Sequence, residues 1–180
     1  MKVYVMRHGT TVWNEKGITQ GRTNNRLSKQ GKLLTEEVAR EYKDTKFDVI
    51  FASPLMRTMQ TANIINKYHG VKIVKDERLI EIDQGIFSGK SKNEISEEEK
   101  KLKFARAKEC GMESYQSVYE RIMNFVDELK QNKKYETVLI VTHNVGASFA
   151  ALALSGTEVD YNNDNHLRSF KNAEVKCFEI

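Results

Sequence analysis

The sequence predicts an α/β fold, a sheet covered on both faces by helices. Two observations carry this. Apolar, β-branched runs recur at residues 3–6, 47–51, 71–74, 138–142 and 175–180, each of a length that suits a buried strand. Helical patterns fill the intervals, and such alternation is the rhythm of a sheet held between helical layers. A chain of 180 residues is most simply one domain, large enough to bury roughly 70% of its unfolded surface without staples.

The elements follow in order. The first run ends at Arg7-His8-Gly9, so a strand end delivers a histidine with an arginine beside it. Residues 31–43 read as one helix. The second strand leads into Ser53-Pro54. Ser53 can cap free amides there, and Pro54 suits a first helical position that needs no donor. This helix runs to about residue 68, burying Leu55, Met59, Ala62 and Ile65 at helical spacing, with Arg57 in its first turn. A helix from Ser114 puts Tyr115, Val118, Ile122, Phe125, Val126 and Leu129 on one stripe. That spacing makes them, with Met112 and Met123, core rather than cofactor contacts. At His143 the strand 138–142 gives way to a small-residue helix over 146–154. Residues 90–108 are dense in charge, break the rhythm, and read as a partly helical excursion over the site.

Open α/β sheets bind ligands at the carboxyl ends of their strands. His8 lies just past the first strand, Ser53 just past the second and His143 just past the fourth run. If those strands are parallel, His8, Arg57 and His143 converge on one sheet edge. Arg7 and the segment Leu79-Ile80-Glu81 add a second arginine and a carboxylate. Two histidines, two arginines and a carboxylate are what hydrolysis of a phosphate ester through a phosphohistidine needs. A neutral imidazole attacks phosphorus and splits one hard step into two. Adjacent arginines favour that neutral form and present fixed forks to the phosphoryl oxygens.

Other classes fit poorly. Lys plus Arg is 29 against 25 for Asp plus Glu, a net charge of +4. The charges are interleaved with no accompanying aromatic stripe, which reads as a solvated surface and not a nucleic-acid interface. Cys110 and Cys177, the two cysteines, form no C-x-x-C pair and read as free thiols in a reducing cytosol. The first apolar run is too short for a secretory signal, and the longest weakly polar run, 145–154, is far below the ~20 residues that span a bilayer. A cytoplasmic protein is expected. The run 160–165 imitates a calcium loop but has Asn165 where Gly is needed and Lys171 where Glu is needed. Nucleotide-loop and serine-hydrolase signatures are absent from the sequence. A zinc site on His8 and His143 would place a cation beside two arginines, which repel it. His69, beside Gly70, reads as a favourable charge at a helix end. His166 lies in a polar loop, where a solvated surface position is a better reading than a substrate contact.

Arg7-His8-Gly9 with Trp13-Asn14, Gln20-Gly21-Arg22, the segment Ser53 to Ala62, Glu81 with Gly85 and Gly89, and Val141-Thr142-His143 together resemble the histidine phosphatase superfamily, the phosphoglycerate mutase-like group. The resemblance spans nearly the whole chain. It implies a three-layer α/β/α sandwich with a mainly parallel central sheet and a short cap at about 84–113. It implies His8 as the phosphorylated nucleophile and Arg7, Arg57 and His143 as the phosphate pocket. Glu81 resembles the proton donor and Asn14 an accessory phosphate contact. Gln20, Gly21 and Arg22 are similar to a substrate-side loop, and Asn144 follows the second histidine at the phosphate. Three departures stand out. Thr10 replaces a frequent Glu, Asn24 and Asn25 interrupt an acidic-x-Pro pattern, and Asn144 replaces a common Gly. Thr10 leaves Glu81 as the main candidate for proton transfer.

The expected activity is therefore hydrolysis of a small phosphorylated metabolite without metal or cofactor. A mutase that transfers the phosphoryl group within a sugar acid is the alternative. A non-enzymatic phosphate-binding module is a lesser one. Specificity is expected to lie in residues 10–25 and 84–115.

Overall fold

The computed structural model describes residues 1–105, 108–157, 159 and 169–180. Its strands are β1 (Lys2–Arg7), β2 (Val49–Ala52), β3 (Lys72–Lys75), β4 (Thr137–Thr142) and β5 (Val175–Glu179). They form one sheet in the order β3-β2-β4-β1-β5. The pairs β2–β3, β2–β4 and β1–β4 are parallel, and β5 lies antiparallel along β1. Every apolar run named above lies in a strand, with ends moved by one or two residues. The helices are α1 (Val12–Glu15), α2 (Lys29–Glu41), α3 (Met56–Asn66), α4 (Glu97–Phe104), α5 (Tyr115–Gln131) and α6 (Asn144–Ser155).

Side-chain alternation along the strands builds two cores. Val3, Val5, Val138 and Ile140 face one side with the stripes of α5 and α6. Met6, Ile50, Leu139 and Val141 face the other with residues of α2 and α3. The result is a three-layer sandwich. The expected α5 stripe is buried at Val118, Ile122, Phe125, Val126 and Leu129. No helix among the described residues is long and apolar enough to cross a membrane.

Three helix starts differ from expectation, and α6 begins at Asn144, two residues early. Helix α2 begins at Lys29 because the Ser28 hydroxyl accepts the Gly31 amide at 3.0 Å. Helix α3 begins at Met56, not at Pro54, and Ser53 is not its cap. The Ser53 hydroxyl is engaged by His143 at 2.8 Å, and Asn24 Oδ1 accepts the Met56 amide at 2.7 Å. Asn24, a departure from the family pattern, thus supplies the cap that Ser53 does not. The helix also ends at Asn66 and leaves Met59 half-buried. His69 is corrected too: burial lowers its pKa below the ordinary value, and its ring packs edge-on to Phe47 at 4.8 Å. It serves as a neutral aromatic, not as a charge on the helix dipole.

The excursion is partly helical, as expected. Ser96 and Glu99 cap α4 reciprocally, and three glutamates fill its first turn. The segment around it lies against the 18–22 loop: the Thr19 amide donates to the Lys90 carbonyl, and Gly89 donates back to Thr19, both at 2.9 Å. Phe87, Ile95, Cys110 and Met112 form its small apolar cluster. His166 and the run 160–165 lie outside the described residues.

Candidate active site

Parallel register sets the site. Arg7 is paired with Thr142 across β1 and β4, so His8 and His143 leave adjacent strands at the same level. The His8 amide extends that ladder to the Thr142 carbonyl at 2.9 Å. The two imidazoles stand 5.2 Å apart between ring centres, and both are buried. This is the switch point of the sheet, where the chain leaves β1 for β2 and later returns to insert β4 between them.

The histidines hold opposite tautomers. His8 Nδ1 faces the Gly9 carbonyl at 2.7 Å. A carbonyl can only accept, so Nδ1 carries the proton and Nε2 keeps its lone pair. His143 Nδ1 instead accepts from Arg57 Nε at 3.1 Å, which places its proton on Nε2, 2.8 Å from the Ser53 hydroxyl. Burial pushes the pKa of His8 well below the usual imidazole value, and Arg57 and Arg7 push the same way against the bond to Gly9. Burial, then Arg57 and His8, push that of His143 well below the usual value too. Both rings are therefore neutral near pH 7.

Arg57 is fully buried. Its fork donates to the Thr23 carbonyl at 2.7 Å and the Gly21 carbonyl at 2.8 Å, so one side chain pins the 20–23 loop to the second histidine. Gly21 has φ +49°, and a Cβ there would stand 3.1 Å from the Gln84 amide nitrogen. That position needs glycine. Burial lowers the pKa of Arg57 to about 10, opposed by Glu81, and the group stays charged. Arg7 donates to the Phe170 carbonyl at 2.5 Å, while its buried Nε has no partner among the described residues. Burial likewise lowers its pKa, against Glu81 and Glu174.

Glu81 completes the electrostatics. Protein encloses it enough that burial raises its carboxyl above the ordinary range, against the Ile82 amide and the charges of Arg57, Arg7 and Arg121. The carboxylate accepts the Ile82 amide at 3.0 Å, and Arg22 Nε donates to the Glu81 carbonyl at 3.2 Å. Arg22 also pairs with Glu113, which is bound in turn by Arg121. A network unseen in the sequence thus stands behind the candidate proton donor.

The other expected contacts are more varied. Asn14 Oδ1 accepts from the amide of Thr11, the N-cap of α1, at 3.1 Å and so closes a capping box, leaving its NH2 as the donor end. Gln20 is buried, with an Oε1 that has no partner among the described residues. Asn144 Oδ1 accepts the Phe170 amide at 3.0 Å, so the donors of Asn144 are its side-chain NH2 and its backbone amide at the start of α6, where N–H groups favour anions. Sequence reasoning passed over Ser53 as a histidine partner and missed Asn172, whose NH2 reaches the His8 carbonyl at 3.1 Å. For Asn172 the sequence offered only an Asn before the last strand.

This constellation sits in a chain with clear relatives. The model of the histidine phosphatase superfamily (branch 1) matches residues 3–180. Phosphoserine phosphatase 1 of Hydrogenobacter thermophilus is 34% identical over 88% of this chain and 78% of its own length. A probable phosphoglycerate mutase of Erwinia tasmaniensis is 28% identical over 87% of this chain and 75% of its own. Among solved structures, Bacillus stearothermophilus YhfR superposes with a TM-score of 0.86 at 25% identity, covering 99% of this chain and 91% of that one. The strand-end histidines, the arginines beside them and a match that spans the sheet lead to one conclusion: this chain belongs to branch 1 of the histidine phosphatase superfamily.

Proposed function

We propose that this chain hydrolyses the phosphate monoester of a small metabolite through a covalent phosphohistidine on His8. The observation that carries the reading is a neutral His8 held as its Nδ1–H tautomer between two arginines. Its Nε2 lone pair forms the N–P bond as the ester P–O bond breaks. Arg7, whose Nε has no partner among the described residues, and Arg57 hold the phosphoryl oxygens, where transition-state charge accumulates. His143 donates from Nε2, exchanging Ser53 for a phosphoryl oxygen. Glu81 gives its proton to the leaving oxygen, then takes one from the water that attacks phosphorus. The P–N bond breaks and phosphate leaves.

Asn14 and Gln20 are substrate-side donors in this scheme, and residues 84–113 serve as the cap of a single domain. The compartment we propose is the cytoplasm, which suits two unpaired cysteines. Among the described residues no group of three His, Cys, Asp or Glu side chains is placed to hold a metal ion, and neither step above calls for one.

A mutase is the second reading, favoured by the mutase-named relative. Hydrolysis is preferred because the cap segment carries a small apolar cluster beneath a charged surface, and a site that protects a phosphoenzyme must expel water. With a chelator present, phosphoserine and 3-phosphoglycerate should each be tested, the latter with and without a bisphosphoglycerate primer. Release of phosphate is expected, with isomerisation to 2-phosphoglycerate negligible. Rapid isomerisation with negligible phosphate release makes the chain a mutase, and activity restored by a divalent cation overturns the metal-free scheme.

Glu81→Gln should separate leaving groups. Turnover of alkyl phosphates should fall about 10²–10⁴-fold, the range of a positioned proton donor, and p-nitrophenyl phosphate far less. The sign of the pH dependence follows from Glu81's raised pKa. The proton needed by poor leaving groups is present below that pKa and lost as pH rises through it, so the alkaline limb should vanish in Glu81→Gln. Equal losses on both substrates would assign Glu81 to substrate placement alone.

A further inference from the structure

Asn172 stands three residues before β5 and takes no part in the steps above. Its side-chain NH2 lies 3.1 Å from the His8 carbonyl, 3.4 Å from the Gly9 carbonyl and 3.3 Å from Asn14 Oδ1. The two carbonyls can only accept, and the Thr11 amide identifies Asn14 Oδ1 as an acceptor. The orientation of the Asn172 amide is thereby determined.

The chain around Asn172 is stitched to the same stretch. The Ala173 amide is shared between the carbonyls of Arg7 at 3.1 Å and His8 at 3.2 Å, and the Arg7 amide donates to Glu174 at 3.2 Å. The Phe170 carbonyl takes Arg7, and its amide is held by Asn144. Ala173 has φ 62°, and no other non-glycine residue among those described has a positive φ. A left-handed alanine costs about 1–2 kcal/mol, and such strain persists where the surroundings over-determine it.

The Gly9 carbonyl is also the acceptor that fixes the His8 ring. We infer that Asn172 is a positioning residue for His8: by holding the Gly9 carbonyl, it maintains the Nδ1–H tautomer whose Nε2 lone pair faces the substrate. This deepens the reading of His8 as nucleophile and rests on it. Without the NH2, the Gly9 carbonyl is freer to turn, and the ring relaxes toward the Nε2–H form that a neutral imidazole side chain prefers in water. That form has no lone pair at Nε2.

Two variants test this, Asn172→Ala and the isosteric Asn172→Asp, which keeps the shape but has no donor at neutral pH. Side-chain nitrogen NMR at neutral pH, with the His8 signals assigned by their loss in His8→Ala, reads the tautomer independently of turnover. Both variants should show a mixed or Nε2–H His8. Their kcat should fall about 10–100-fold, by analogy with the loss of a partner that orients a metal-ligating imidazole from behind, with KM within about twofold. A folded variant with unchanged tautomer overturns the inference, whether or not kcat falls. A shifted tautomer with undiminished kcat supports the clamp and counts against His8 as the nucleophile, so the two ideas fail separately.

Discussion

Replacing His8 with alanine is expected to lower turnover by on the order of 10⁴-fold or more, the scale seen when a nucleophile that acts as one unit with its partners is removed. The arginines would still bind phosphate in His8→Ala, so affinity for orthovanadate should fall much less than turnover. The fold should survive. His8 sits at the end of β1, and among the described residues its side chain makes one hydrogen bond, to the neighbouring Gly9 carbonyl, so the β1–β4 ladder keeps its backbone partners. Circular dichroism and thermal unfolding check that point. Retention of more than about one hundredth of the wild-type rate, against an expectation this large, would remove His8 from the chemistry.

Arg57→Ala should have the next largest effect, because one guanidinium has three structural partners besides its charge. It binds Gly21, Thr23 and His143. Its loss removes a fixed positive charge from the phosphate site, frees the 20–23 loop and releases His143 from its Nε2–H tautomer. Removing one such stabilising group typically costs about 10²–10³-fold, and the coupled loss of His143 should carry kcat/KM to the upper end. Two carbonyls lose a buried donor, so stability should fall by about 1–3 kcal/mol, or roughly 2–12 °C in Tm for a chain of this size. Arg57→Lys keeps charge without the fork and should recover stability better than kcat. Activity within about tenfold of wild type in Arg57→Ala, well short of the usual loss, would mean that Arg57 serves the loop alone.

What the sequence made legible was whatever local chemistry decides. β-Branched runs marked all five strands of the described residues, and the spacing of Val118, Ile122, Phe125 and Leu129 marked the buried face of α5. The convergence of His8, Arg57 and His143 followed from strand ends once the strands were parallel. Illegible features depend on partners distant in sequence. Ser53 carries the local signature of a cap, but His143, ninety residues on, takes its hydroxyl, and Asn24 caps α3 from another loop. His69 reads as a charge until Phe47 packs against it. The same holds for the Arg22–Glu113–Arg121 network behind Glu81 and for Asn172, whose contacts are to backbone carbonyls that any residue could carry.

Rapid-quench trapping of the phosphoenzyme tests the phospho-His8 step most directly. Wild-type protein mixed with a labelled phosphomonoester, quenched in base and digested should yield one labelled peptide, containing His8. Its label should be stable to base and lost in acid, as a phosphoramidate is, and should appear no more slowly than phosphate is released. A label on another residue, or steady phosphate release with no trapped intermediate from either a fast or a slow substrate, contradicts the mechanism.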